Sequence, residues 1–160
     1  MQPIYARLRE RACQIVSTFP PPVFYQDQSR AHDFSKIFFE NDPTIKKLHG
    51  FVSDHLEDNF GHGLQHAVKV TVDAGALLYI EGQNTGYDKS MLARRMQVVQ
   101  CAGLLHDIKR KKKEHAKLGA ARAREILKNF PLAPDDIEDV YRAIRNHEAF
   151  KKEILITTSQ

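Results

Sequence analysis

Histidine is the residue whose number and placement in this chain point most directly to chemistry. Of the eight histidines, five fall in one pattern relative to the helices predicted below. Three of these five extend the apolar stripe of a predicted helix and are expected to point into the core. A buried imidazole needs polar partners there, because an unsatisfied polar group costs about 1–3 kcal/mol. The three stripes are His66 with Val70, Ala74 and Leu77, His106 with Met96, Val99 and Ala102, and His147 with Ile137, Val140 and Ile144.

Asp107 directly follows His106 and adds a carboxylate to this pattern. Any one histidine taken alone is more readily a hydrogen-bonded core or surface residue than a metal ligand. Several inward histidines from different helices, together with a carboxylate, favour a metal site instead, and this donor set suits Mn²⁺, Fe²⁺ or Zn²⁺. With only two cysteines, Cys13 and Cys101, the chain cannot form a thiolate-rich structural zinc site. We expect both to be reduced and Cys101 to lie in the core.

The charge of the chain favours an anionic ligand. Twenty-four basic residues against 20 acidic ones give a net charge of +4, and the isoelectric point is about 9.1. This modest excess does not demand nucleic acid. Five consecutive cations at 109–113 follow Asp107. For Lys109 and Arg110 a contact with phosphate and a solvated basic turn are equally open, whereas for residues 111–113 the solvated surface is favoured.

The composition indicates one globular domain. Of the 160 residues, 42% are hydrophobic and 28% are charged. The longest apolar stretch, residues 74–80, is far shorter than the roughly 18 residues that a membrane span needs. Charged residues interrupt the first 16 positions, so the apolar core of a secretory signal is not present there. We expect a cytoplasmic protein that does not bind a membrane.

The spacing of apolar residues predicts an all-α bundle of about six helices. A first helix covers 4–16 and ends before the prolines at 20–22. Residues 18–42 are predicted to connect it to the bundle, with a short helix around 34–39. Only the segment 154–157 alternates as a strand would. The other helices are expected at 43–56, 62–81, 88–106, 115–130 and 134–147, and the domains as 1–42, an N-terminal helix with its connecting segment, and 43–160.

Four segments, HGLQHAVKV, AGLLHDIKR, HAKLGAARAREIL and VYRAIRNHE, follow one another in this order on successive predicted helices. Over about residues 50–150 the chain thereby resembles the HD-domain superfamily of metal-dependent phosphohydrolases. The resemblance implies that His66 is the first metal ligand, that His106 and Asp107 are the central pair, and that Asp107 bridges two ions where two are bound. It also implies that His115 and His147 complete the second site. One or two divalent ions are expected, without a choice among Mn, Fe, Ni, Zn and Mg.

The activity implied by the resemblance is hydrolysis of a phosphate ester, in a nucleotide or a related small molecule. Asp107, Lys109 and Arg110 are the expected catalytic residues, and His62, Lys109 and Arg110 the expected substrate-binding ones. The chain departs from the family at one point, because the family pattern closes with an aspartate on a later helix. After His147 the acids are Glu148 and Glu153. A centre that lacks this carboxylate is expected to bind its ion more weakly and to show low turnover.

Two other functions compete with the enzyme. The first is a catalytically silent HD scaffold with a regulatory role. The second is a nucleic-acid-binding module that uses the cations at 94–95, 109–113 and 151–152, although these clusters lack base-stacking aromatics. We expect a small phosphorylated partner rather than nucleic acid. The N-terminal helix is predicted either to pack on the bundle or to form a homodimer contact.

Overall fold

A computed structural model describes residues 3–56 and 63–148, and it confirms the all-α prediction. The described residues contain eight helices rather than about six, and no strand. The alternating segment 154–157 lies outside them. The helices are α1 (Pro3–Val16), α2 (Val23–Asp27), α3 (Ser29–Asn41), α4 (Pro43–His55), α5 (Leu64–Thr85), α6 (Lys89–Leu105), α7 (His115–Leu127) and α8 (Pro134–Arg145).

Helices α2 and α3 occupy most of the predicted connecting segment, and the short helix predicted around 34–39 lies within the longer α3. Helix α3 has 13 residues and packs against α5. Its buried residues are Ala31 and Ser35, which are small or polar, so the segment shows no strong apolar stripe. Gln100 of α6 donates a hydrogen bond to the Ser35 carbonyl at 2.9 Å. A polar contact with a distant helix thus fixes α3, and apolar periodicity cannot show such a contact.

Two aspartates cap the helices that were predicted to begin beside them. The Asp42 carboxylate accepts a hydrogen bond from the Ile45 backbone at 2.9 Å, and the Asp88 carboxylate accepts one from Met91 at 2.8 Å. The end of α5 differs from the prediction, since the helix continues past 81 to Thr85. Gly86 ends it with a φ of 73°, a left-handed conformation that favours glycine.

Helix α6 lies at the centre of the bundle and packs against α3, α4, α5, α7 and α8. Its closest neighbour is α5, since a Cβ on Gly103 would lie 2.7 Å from the Cα of Thr71. Cys101, on the same helix, is fully buried as predicted, and burial raises the pKa of its thiol to about 12. Both cysteines are free. The close contact between Gly103 and Thr71 fixes the start of α5 beside the end of α6.

The buried face of α5 is not the one that apolar spacing predicted. Leu77 is 58% exposed, whereas Ala67, Thr71 and Gly75 are buried. A Cβ on Gly75 would contact Ser35 of α3 and Met96 of α6. Because α5 packs closely on two helices, its inner face is built from small residues rather than large apolar ones.

Ion pairs hold α8 against its neighbours. The Asp136 carboxylate is buried and accepts from Arg94 Nε at 2.9 and 3.0 Å. Asp139 lies 2.6 Å from Arg95 Nη1, from oxygen to nitrogen. Two basic residues counted for the nucleic-acid alternative are therefore paired with acids of α8, although their own side chains stay partly exposed at the surface of the bundle.

Helix α1 stays apart from the core. All of its residues from Ile4 to Val16 are exposed, including Ile4 and Leu8 of its apolar stripe. Packing of this stripe on the bundle is thus not what the structure shows, and the homodimer contact stays a prediction. In the part of the chain that is described, no helix combines the length and the apolar character that crossing a membrane would require.

Candidate metal centre

The five predicted metal ligands lie together where four helices begin or end. His66 belongs to the first turn of α5, and His115 begins α7. His106 directly follows α6, and His147 comes two residues after α8. Asp107 lies in the turn after α6. Helix termini set these positions, so the order of the helices along the chain brings distant residues into one site.

The Asp107 side chain occupies the middle of this site and is 3% exposed. Its Oδ2 lies 3.3 Å from Nε2 of His106 and 3.9 Å from Nε2 of His66. Its Oδ1 lies 3.8 Å from Nε2 of His115 and 4.0 Å from Nε2 of His147. We call His66, His106 and Asp107 the first triad, and Asp107, His115 and His147 the second triad. Within each triad the three donor atoms lie within 4.8 Å of one another.

The backbone orients two of the imidazoles. Nδ1 of His106 lies 2.7 Å from the Gly103 carbonyl, and Nδ1 of His147 lies 2.6 Å from the Ile144 carbonyl. Since a carbonyl only accepts, each Nδ1 carries the proton and each Nε2 keeps a lone pair. His147 Nε2 is buried without a hydrogen-bond partner in the described part of the chain. Backbone contacts of this kind orient metal-ligating histidines.

The two triads have different electrostatic surroundings. Burial acts to lower the pKa of His106, but its contacts with Asp107 and the Gly103 carbonyl outweigh burial and raise the pKa above its ordinary value. The pKa of His115 is lowered, chiefly by burial and further by Arg110 and His147, although Glu148 acts in the opposite direction. His115 is therefore held neutral to lower pH than His106.

The donor set fits a divalent metal ion. Imidazole lone pairs and carboxylate oxygens converge within each triad, and no thiolate takes part. Such donors suit Mn²⁺, Fe²⁺, Ni²⁺ and Zn²⁺, and nothing in the arrangement selects one of them. His147 Nε2 gives the clearest evidence, because a buried lone pair without a hydrogen bond is costly unless a further partner completes it.

A cavity of about 240 Å³ opens beside Asp107. Lys109 and Arg110 line it, as the phosphate alternative requires, and so do Lys111 and Lys112. His55, at the end of α4, also lines the cavity, where its ring stacks on Phe51. No sequence pattern singles out His55, because only the fold brings it to this wall. His62, the remaining predicted substrate-binding residue, lies outside the described residues.

Two charged side chains approach His115 from opposite sides of its ring. Arg110 Nη1 lies 2.9 Å from Nε2, and Oε1 of Glu148 lies 3.4 Å from Nδ1. Glu148 is the one acid that follows His147 among the described residues, and it belongs to neither triad. Its carboxylate instead favours a proton on Nδ1, which leaves the Nε2 lone pair directed into the site.

Comparison with known proteins places this site in a family. No curated protein and no solved structure matches the chain. The family model described as HD domain matches residues 63–156, which is more than half of the 160 residues. That span includes every residue of both triads. With four predicted histidine ligands gathered around the buried Asp107 and the family model covering all five residues, the chain belongs to the HD domain family.

Proposed function

We propose that the protein is a metal-dependent phosphohydrolase that acts on a phosphate ester, in a nucleotide or a related small molecule. The observation that carries this proposal is the placement of Asp107, whose two oxygens each face a pair of imidazoles. Membership of the HD domain family supports it. A carboxylate shared in this way suits a centre with two adjacent ions, which is a common arrangement for phosphoryl chemistry.

The chain supplies the ligands and their orientation. His66, His106 and Asp107 would hold one ion, and Asp107, His115 and His147 a second. When bound, a divalent ion supplies Lewis acidity, which acidifies water and polarises a phosphate oxygen. The carbonyls of Gly103 and Ile144 keep the Nε2 lone pairs of His106 and His147 pointed inward. The low exposure of Asp107 keeps competing water away from its carboxylate.

Lys109 and Arg110 are the proposed phosphate-binding residues. Both line the cavity beside Asp107, and Arg110 Nη1 lies 3.7 Å from Oδ1 of Asp107. Cations at this position neutralise the charge that grows on phosphate oxygens in the transition state. A guanidinium also matches two phosphate oxygens at once. The cavity wall thus supplies two cations that can bind the phosphate group of an ester next to the metal centre.

The test is turnover by the full chain with added Mn²⁺, using nitrophenyl phosphate and a panel of nucleotides. We expect hydrolysis that a chelator abolishes and that His106→Ala lowers by at least about 100-fold, since a ligand is lost. His49→Ala is the matched control, because this histidine contacts Phe39 and belongs to neither triad. Equal activity in the His106→Ala protein would contradict the proposal.

The silent HD scaffold is the second candidate, and the departure of the sequence from the family's closing aspartate favours it. It predicts metal binding without turnover of any phosphate ester in the panel. The nucleic-acid module has less support, because Arg94 and Arg95 pair with Asp136 and Asp139. It predicts affinity for long RNA or DNA that falls steeply with salt and does not change when the metal is removed.

A further inference from the structure

The second triad includes a cation of the chain itself. Arg110 Nη1 lies 2.9 Å from Nε2 of His115 and 3.7 Å from Oδ1 of Asp107. These are the two atoms that His115 and Asp107 would offer to a metal ion in this triad. The guanidinium therefore occupies the donor side of the second triad.

The chemistry of the contact shows which partner donates. A guanidinium has five N–H donors and no acceptor, so Nε2 of His115 accepts with its lone pair. Glu148, 3.4 Å from Nδ1, favours the same tautomer from the other side of the ring. An imidazole nitrogen has one lone pair, and a metal ion bound through Nε2 would need it. The arginine and the ion are thus alternatives at one atom.

We infer that Arg110 and a divalent ion compete for His115, so that the second triad fills only when Arg110 moves away. This inference rests on the metal centre of the proposed function. Competition has two causes, the shared lone pair and the repulsion between a guanidinium and a cation at short range. The first triad therefore fills first, and the affinity of the second triad depends on where Arg110 lies.

A phosphate group offers Arg110 another partner. The arginine side chain is 34% exposed and lines the cavity beside Asp107 together with Lys109. An anion in that cavity can take two hydrogen bonds from the guanidinium. Drawing Arg110 toward the anion frees His115 Nε2, so phosphate and the second ion should strengthen each other's binding. By linkage, the gain in affinity is the same in both directions.

The experiment is calorimetric titration of the full chain with Mn²⁺, with and without inorganic phosphate. We expect wild type to bind one ion tightly and a second weakly. Arg110→Gln should tighten the second ion by about tenfold or more, within the usual range of coupling between sites, and the first ion by much less, since Arg110 contacts no histidine of the first triad at this distance. Lys109→Gln is the matched control. It removes the same charge one residue away, in the same cavity wall, and should change the second ion by less than about threefold.

Phosphate supplies the second arm. It should tighten the second ion in wild type, and this gain should shrink in Arg110→Gln. Tight binding of the first ion shows that the variant is folded. The inference is overturned if the second ion binds wild type and Arg110→Gln equally, if Lys109→Gln gains as much, or if both proteins bind only one ion. None of these readouts uses turnover, so a silent scaffold would leave the inference standing, and an active enzyme could still contradict it.

Discussion

The two triads share one carboxylate and differ in almost everything around it. In the first triad, His106 follows a buried helix whose own Gly103 carbonyl orients the ring. In the second, His115 lies between Arg110 and Glu148, and only His147 has a backbone carbonyl on Nδ1. The second triad thus has charged side chains in direct contact with one of its own histidines. We therefore expect two similar donor sets in one site to bind ions with different affinities.

Removing the shared carboxylate should erase the difference between the triads. Asp107→Asn keeps the shape of the side chain but removes its charge, so we expect both ions to bind at least about 100-fold more weakly. Metal content after dialysis, by elemental analysis, is the measurement. Asp73→Asn is a suitable control, since the Asp73 carboxylate accepts hydrogen bonds from Tyr25 and Lys69 and belongs to neither triad. An Asp107→Asn protein that retains one ion at wild-type affinity would show that the triads do not depend on Asp107.

Deleting one histidine should affect one triad. His66→Ala is expected to remove the first ion, and His147→Ala the second, because each histidine belongs to one triad only. The Mn²⁺ stoichiometry in a titration should fall by one in each variant, with the weaker ion remaining in His66→Ala. Loss of both ions from either variant would mean that the triads form a single site.

The helix contact behind the first triad gives a smaller effect, on stability. Gly103→Ala would place a Cβ 2.7 Å from the Thr71 Cα, and overpacking of this kind costs about 1–3 kcal/mol. Urea denaturation should report that loss, with weaker binding of the first ion. Gly50→Ala is the matched helix variant, because no atom lies within 4 Å of its added Cβ. It should leave stability unchanged or raise it by up to about 1 kcal/mol.

Acid should weaken the first triad before the second. A protonated imidazole cannot bind a metal ion, and the raised pKa of His106 means that it takes up its proton at higher pH. The lowered pKa of His115 delays its protonation as pH falls. Between pH 8 and 6, Mn²⁺ titrations of His147→Ala and His66→Ala should show the steeper decline in His147→Ala, where the first triad remains. A steeper decline in His66→Ala would reverse the assignment.

The sequence predicted which residues meet at the candidate site better than it predicted the packing that supports them. His106 and Asp107 are adjacent in the chain, and helix periodicity alone placed His147 inward behind the buried Val140 and Ile144. The apolar stripe predicted for α5 was wrong, yet His66 still lies at the site. Its position in the first turn of α5 places it there, whichever face of the rest of the helix is buried. The order of the motifs along the chain therefore predicted which residues come together.

The features that sequence did not predict depend on contacts between distant helices. The full extent of helix α3 was not predicted, because Ser35 is buried through a hydrogen bond from Gln100, 65 residues away. The contacts of Arg110 and Glu148 with His115 depend on the path of the turn after α6 and on the end of α8. The spacing of residues along the chain predicts neither the burial of Ser35 nor these contacts with His115. Charged neighbours of a ligand are thus harder to predict than the ligand itself.

The single shared carboxylate has a consequence for the release of product. Two divalent ions would bring four positive charges to the triads, whose one acidic member is Asp107, with Glu148 as a second carboxylate beside His115 among the described residues. A charge excess that attracts a phosphate ester also retains inorganic phosphate, which is itself an anion near neutral pH. We therefore expect phosphate departure to limit the cycle. Strong competitive inhibition by inorganic phosphate in initial-rate assays would show it, and weak inhibition would mean that cleavage is slower.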